Sequence, residues 1–300
     1  MPNSKWTRLG IVFLLLLVGI FLWNYKSTAP HKLPGQEDSS STPPLSAGPA
    51  KYTIDELFDK IPEVGERLGV NIRFANPATA IEMTVNPESG ERRPTGFTTE
   101  SFNQAMSSVI IESLERVAET YPQGSFGALC NTIYVTKAVS ISGYKLKERS
   151  DEAWIVLPAP KNPLNKQNYD AQLAITLGAI HHELSSFIWH TQPTLQTNWQ
   201  KTLPINWEVL GEKARKMGAA IGTFPNPDTG YLSFWSEVSA ENDYNIYAEF
   251  VFGNPEDLIT LAKEHDIIAQ KLSLFIQSYE DNDPRFADYF KTSGLKDASQ

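Results

Sequence analysis

Residues 169–190, YDAQLAITLGAIHHELSSFIWH, are the part of the chain around which the rest is expected to fold. Their apolar side chains recur every three or four residues, which predicts an amphipathic helix with one face in the core. The apolar face consists of Leu173, Leu177, Ile180, Leu184, Phe187 and Ile188. Other elements must cover that face, so we expect one globular domain arranged around this helix.

The opposite side of the helix carries polar side chains that are capable of chemistry. At about 100° per residue, His182, Glu183, Ser186 and His190 fall within an arc of about 100°, away from the apolar face. His181 lies on the shoulder of the apolar face, where a structural role such as orienting a neighbouring loop is the simpler interpretation. An unpaired buried carboxylate is costly, so Glu183 needs either a partner or a function.

A second polar row is encoded in residues 236–252, SEVSAENDYNIYAEFVF. If residues 241–252 are helical, Asn242, Asn245 and Glu249 stand at i, i+3 and i+7 and share one side of the helix. A carboxylate in such an aromatic and apolar stretch indicates a partner inside the protein rather than a role in solubility. Asn242 and Asn245 also have a simpler interpretation, as helix-capping or surface residues.

The remaining pattern combines short strands with helices. Runs of β-branched and aromatic residues predict strands at residues 70–74, 132–141 and 153–157. Apolar periodicity predicts helices at residues 52–68, 102–120 and 255–281. Pro62 is expected to break the first of these helices, and Gly143 with the polar residues 145–151 is expected to form a loop. The sequence therefore predicts an α+β fold with a mainly helical C-terminal part.

The N-terminus indicates the compartment. Lys5 and Arg8 precede the apolar run of residues 9–23, LGIVFLLLLVGIFLW, which would be about 23 Å long as a helix, short but sufficient for a membrane span. Pro30 would directly follow the weak cleavage pattern and disfavours cleavage, so an uncleaved signal anchor is predicted over residues 9–25. Cleaved export and a cytoplasmic domain are the alternatives.

This arrangement predicts five consecutive regions. They are a cytoplasmic N-terminus (1–8), the signal anchor (9–25), a disordered Pro/Ser-rich linker (26–50), an extracytoplasmic domain (51–290) and a flexible tail (291–300). We therefore expect a single-pass protein of the inner membrane with its domain in the periplasm.

Charge and cysteine content narrow the classes of function. The formal net charge is −9, and because residues 1–50 contain four basic and two acidic residues, residues 51–300 hold −11. A surface this acidic repels phosphate backbones, so nucleic-acid binding is not expected. The single cysteine, Cys130, excludes an intrachain disulfide and a multi-cysteine metal site.

The order of the two polar motifs, HHELSS on one helix and ENDYNIYAEF on a later one, resembles the zinc-binding metallopeptidases with a zincin-like fold. The resemblance spans about residues 131–290. It implies a small mixed sheet packed on an active-site helix, zinc as the cofactor with His182 and Glu249 as ligands, and Glu183 as the general base. Ser186 stands where a second histidine is usual, so the motif is H-E-x-x-S.

His190 cannot simply replace that histidine, because it lies eight residues, or about 12 Å along the helix axis, beyond His182.

Three functions are consistent with the sequence. The first is a membrane-anchored zinc metallopeptidase that hydrolyses peptide bonds in the cell envelope. The second is a catalytically degenerate zincin-like protein that binds a peptide or protein partner without hydrolysis. The third is a helical envelope scaffold in which the motifs are coincidental.

We predict that the full-length protein fractionates with membranes, because residues 9–23 are apolar throughout. Protease added to intact spheroplasts should remove the domain of residues 51–300, as followed by immunoblot, while a cytoplasmic marker protein stays undigested. Recovery of the intact protein in the soluble cytoplasmic fraction would contradict this topology.

Overall fold

A four-stranded sheet and a mainly helical C-terminal part make up the computed structural model of the chain, which describes residues 50–74, 102–137, 142–146, 153–217 and 227–300. The strands are β1 (Asn71–Phe74), β2 (Thr132–Thr136), β3 (Gly143–Lys145) and β4 (Trp154–Pro158). The helices are α1 (Ile54–Leu68), α2 (Gln104–Thr120), α3 (Ser125–Leu129), α4 (Lys166–Thr191), α5 (Pro193–Gln200), α6 (Trp207–Met217), α7 (Ala240–Gly253), α8 (Pro255–Glu264), α9 (Asp266–Asn282), α10 (Phe286–Thr292) and α11 (Leu295–Ala298). The predicted α+β class is confirmed.

The sheet is mixed, with the order β1-β2-β4-β3. Strand β3 is antiparallel to β4, and the other two pairs are parallel. Strand β2 is buried along its whole length, as its β-branched and aromatic residues predict. The expected strand at residues 132–141 ends at Thr136, and residues 138–141 lie outside the described part of the chain.

Strand β3 occupies the position where we expected a loop. Tyr144 pairs with Ile155 of β4, so the short Gly143–Lys145 segment extends the sheet. Three residues are too few to show an alternating pattern in the sequence, which is why this strand escapes detection there. The rest of the expected loop, residues 147–151, lies outside the described residues.

Helix α1 continues through Pro62, which we expected to break it. Thr53 caps the helix, because its hydroxyl accepts the Glu56 backbone N–H and the Glu56 carboxylate accepts the Thr53 N–H. Leu57 and Val64, on either side of the proline, are buried in the core. The cap and this packing offset the roughly 3 kcal/mol that an interior proline costs.

The C-terminus is helical where we expected a flexible tail over residues 291–300. Leu295 is fully buried and Ala298 is nearly so, which ties α11 to the core. The long helix expected from Pro255 onward is two helices, because the backbone at His265 is extended, with φ −135° and ψ 106°.

Helix α4 is at the centre of the domain and packs against α2 and α7. The Asn165 side chain begins it by accepting the backbone N–H of Asn168. Ile180, Leu184 and Ile188 are completely buried, so the predicted apolar face lies in the core. The polar face of α4 is therefore directed towards its other neighbours, chiefly α7.

A buried ion pair joins α7 to α9. Lys271 Nζ lies 2.7 Å from Asp243 Oδ2, and neither side chain is exposed. The same carboxylate oxygen accepts the Trp199 indole N–H at 2.9 Å, and Lys271 also donates to the Gly230 carbonyl at 3.0 Å. Burial lowers the pKa of Lys271 and raises the pKa of Asp243, while the charge of each partner opposes these shifts. These contacts fix the start of α7 against α5 and α9.

Within the described residues, no helix is both long enough and apolar enough to cross a bilayer. The expected N-terminus (1–8), the expected anchor (9–25) and all but the last residue of the expected linker (26–50) lie outside the described residues.

We predict that Lys271→Met destabilises the protein by about 3–5 kcal/mol, because Asp243 then stays buried without its cation. Combining it with Asp243→Asn should recover most of this loss, since the amide keeps an acceptor for Trp199. Urea unfolding gives the free energies, and Lys263→Met on the exposed side of α8 should change them by less than about 0.5 kcal/mol. If the single and the double variant lose the same free energy of unfolding, the unpaired charge of Asp243 is not the cause of the loss.

Candidate functional site

The polar sides of α4 and α7 face each other and form one connected group of side chains. Ser239 begins α7 by accepting the backbone N–H of Asn242. From there Glu241, Asn245 and Glu249 recur every four residues along one side of the helix. Asn242 itself contributes to the cap, and the described hydrogen bonds do not join its side chain to this group.

His182 and Glu249 are in direct contact. Nδ1 of His182 lies 2.7 Å from Glu249 Oε1, and each side chain is 18% exposed. Burial by itself would lower the pKa of His182, but the hydrogen bond and the negative charge of Glu249 outweigh it and raise this pKa. A carboxylate at Nδ1 fixes the ring orientation and directs Nε2 away from Glu249, as in histidines that bind metals.

Ser186 and Asn245 are also in direct contact, next to that pair. The Asn245 amide donates to Ser186 Oγ at 2.7 Å, and Ser185 Oγ donates to Asn245 Oδ1 at 2.6 Å. Ser185 and Ser186 are completely buried, and Asn245 is 1% exposed. Asn245 therefore joins the two serines across the helix interface, and Ser186 also forms a hydrogen bond with Glu241, so these buried groups have partners where an unpaired polar group would be costly.

Tyr144 of β3 connects the edge of the sheet to both helices. Its hydroxyl donates to Glu241 Oε1 at 2.7 Å and lies 2.7 Å from His190 Nε2. Because a hydroxyl has one proton, it accepts the second bond, which places a proton on Nε2 of His190. The hydrogen bond to Glu241 raises the pKa of His190. His190, a predicted supporting residue, thus belongs to the site.

Glu183 and Glu241 have environments that shift their acidities in opposite directions. Glu183 is 5% exposed, and burial raises its pKa to about 7 despite the charge of His182 and a hydrogen bond from Ser142. Burial would raise the pKa of Glu241 as well, but hydrogen bonds, foremost that with His190, lower it. Near neutral pH Glu183 is therefore partly protonated while Glu241 is ionised, and two carboxyls of different acidity have the means for acid–base chemistry.

His181, which precedes His182 in the sequence motif, lies outside the site. Its ring is stacked between Tyr121 and Phe252, with centroids 5.6 Å and 5.1 Å away, and Nδ1 is 3.2 Å from the Tyr121 hydroxyl. Burial lowers the pKa of His181 to about 3, so the ring is neutral. It is a packing residue, as its place on the shoulder of the apolar face allows.

The donor set implied for zinc is not assembled by the described residues. Nowhere among them do three or more His, Cys, Asp or Glu side chains lie close enough to hold one metal ion. One helical turn after His182, α4 presents the hydroxyl of Ser186, which accepts the amide of Asn245, and both of these groups are weak ligands for zinc. These residues do not fit a zinc centre.

Sequence reasoning missed Tyr144, Ser185 and Glu241. A signal for Glu241 exists, because it precedes Asn245 by four residues just as Glu249 follows it by four. Tyr144 gives no such signal, since its role depends on a three-residue strand whose partner is set by the sheet.

Neither a scan against protein-family models nor a search of the curated proteins finds a match to this chain. A search of the solved structures finds the crystal structure of a protein described as a "putative zinc-binding metallo-peptidase" from Bacteroides caccae ATCC 43185. The two chains are 14% identical, the likeness covers 82% of this chain and 92% of that one, and the TM-score is 0.42. At this level the likeness says nothing about the chemistry of this site.

We predict that Glu183→Gln makes the stability less sensitive to pH. A carboxyl whose pKa rises from 4.5 to about 7 on folding binds more protons in the folded state, so stability falls as the pH rises through that window. As the pH rises from 4.5 to 8, the free energy of unfolding of the variant should therefore increase by up to about 3 kcal/mol relative to that of the wild type. Urea unfolding at several pH values measures this.

The matched control is Glu264→Gln, which removes an exposed carboxylate on α8 and should leave the dependence of stability on pH unchanged. Parallel pH profiles for wild type and Glu183→Gln would show that Glu183 does not titrate in this window.

Proposed function

We propose that residues 51–300 form a zincin-like domain that binds a peptide or protein partner in the cleft between α4 and α7 without hydrolysing it. The observation that carries the proposal is the contact between Ser186 and Asn245, which fills the space beside His182 with groups that satisfy each other. The polar residues of the two helices are therefore present, but they do not form a set of ligands for a catalytic metal.

The polar boundary between α4 and α7, which we call the cleft, reaches solvent at two places. The side chains of His190 and Glu241 are 33% and 26% exposed, and those of His182 and Glu249 are 18% exposed. The exposed parts are charged or polar, whereas Ser186 lies completely inside. A ligand can therefore contact the outer carboxylates and imidazoles without displacing the contact between the helices.

The neighbouring sheet supports a peptide as the ligand. Among the described strands β1 and β3 are the two edges of the sheet, and edge strands accept extended peptides by strand addition. Tyr144 connects the β3 edge to Glu241, so a chain lying along β3 would pass over the polar cleft. The carboxylates would favour a peptide with basic groups, since residues 51–300 hold a formal charge of −11.

A zinc metallopeptidase is the second candidate, and one observation favours it. Glu183 has a pKa near 7 and lies next to His182, so at neutral pH it can accept or release a proton as a general base must. This candidate needs a donor set that the described residues do not assemble. In either case we place the domain in the periplasm, held at the inner membrane by residues 9–25.

Phage display of random peptides on the purified domain tests the proposal. We predict that selected peptides bind the wild type in calorimetry and remain uncleaved by mass spectrometry, with or without added zinc. Glu241→Gln should weaken binding by about 10-fold or more, because it removes an ionised acceptor from the cleft.

Glu256→Gln, an exposed carboxylate on α8, should bind as the wild type does. Equal affinity of the Glu241→Gln variant, or no selected peptide at all, would argue against binding in this cleft. Cleavage that a chelator abolishes would instead establish the second candidate.

A further inference from the structure

We propose that the start of α6 docks the domain onto the lipid surface of the inner membrane, with Ile205 and Val209 inserted among the headgroups. These two residues belong to neither α4 nor α7, so this contact is additional to peptide binding in the cleft. The proposal rests on one part of the proposed function, the tethering of the domain to the membrane by residues 9–25.

Two apolar side chains at the start of α6 are open to water. Ile205, in the turn before the helix, is 107% exposed, and Val209, four residues later, is 67% exposed. They are the two most exposed large apolar side chains among the described residues. Because Ile205 projects from the surface, it suits a deformable lipid layer, which can surround a protruding side chain without a matching pocket. Neighbouring apolar groups exposed in this way indicate a binding surface.

The packing of α6 explains why these side chains face outward. Gly211 is buried, and a Cβ atom at that position would lie 2.8 Å from the Val238 carbonyl oxygen. This side of α6 therefore lies directly against the backbone of the domain. At about 100° per residue, Val209 falls about 160° away from Gly211, on the opposite side of the helix. Trp207 packs against the core and holds the start of α6 in this orientation.

The charge of this segment is opposite in sign to that of the rest of the domain. Residues 201–217 contain four basic and two acidic residues, a formal charge of +2. Because residues 51–300 together hold −11, the other residues of the domain hold −13. Anionic headgroups repel such a domain as a whole and attract only its basic segment, which selects the orientation of approach. A second copy of the chain is disfavoured, since its own segment would be equally positive.

The predicted tether supplies the proximity that so small a surface needs. A flexible linker of 25 residues spans about 25–30 Å, which exceeds the roughly 18 Å radius of gyration of a 250-residue domain. Any face of the domain can therefore reach the bilayer. Tethering also makes docking an intramolecular step, for which weak binding by two apolar side chains and a small charge is sufficient.

The test places a fluorescent label at position 206 of the full-length protein in vesicles of phosphatidylcholine and phosphatidylglycerol. Asn206 is exposed between the two apolar residues, so Asn206→Cys can carry an environment-sensitive dye, while the native Cys130 is buried. We expect its emission to shift to shorter wavelength and to be quenched by spin-labelled lipids. A label on Glu264→Cys, on the exposed side of α8, should remain in water.

Two changes should each weaken docking. Ile205→Ser/Val209→Ser should lower the ratio of docked to free domain by about 10-fold or more, because two apolar side chains no longer leave water. The matched control Ile54→Ser/Leu164→Ser removes two exposed apolar side chains elsewhere and should leave the ratio unchanged. Replacing phosphatidylglycerol by phosphatidylcholine should lower it by about 10-fold, since the segment then meets no anionic surface.

A label at position 206 that stays in water, or equal docking of the two double variants, would overturn the proposal. An emission shift that needs no lipid and grows with protein concentration would assign the surface to a second copy and would also overturn it. Protein that alkali extracts from the vesicles would contradict the tether and, with it, the docking. Peptide binding is measured without vesicles, so failure of either proposal leaves the result for the other intact.

Discussion

At the centre of the contact between α4 and α7, the side chains of Ser185, Ser186 and Asn245 are almost completely withdrawn from water, and every such polar group needs a partner inside the protein. Ser185, Ser186 and Asn245 provide these partners for one another. Sliding one helix past the other by a turn, about 5.4 Å, would break all of these bonds at once. The interface therefore has a single register, and the contacts of Glu249 and Glu241 with their histidines depend on it.

The charges of the site are balanced by pairing and by protonation. Glu249 contacts His182, and Glu241 contacts His190, so two carboxylates are each matched with an imidazole. Glu183 is the third carboxylate, and burial raises its pKa to about 7, which leaves part of it neutral at physiological pH. With the carboxylates balanced in this way, the partly exposed side chains of His190 and Glu241 are the groups that the proposed ligand would meet first.

The helical period predicts much of this arrangement, because 3.6 residues per turn determine which side chains share a face. It places His182, Ser186 and His190 together on α4 and separates them from the buried ridge. It does not reveal whether Glu249 contacts a metal or a histidine, since that depends on how two segments 67 residues apart pack. The sequence does not identify Tyr144 as a site residue for a related reason, because its position follows from the pairing of β3 with β4.

The central claim is that the space beside His182 is closed by Ser186 and Asn245. A crystal structure of the wild-type domain grown with excess zinc, with diffraction data collected above the zinc absorption edge, measures this most directly. We predict no anomalous peak next to His182 Nε2 and an Asn245 amide that still donates to Ser186 Oγ. A zinc peak bound by His182, with Asn245 turned away from Ser186, would contradict the account.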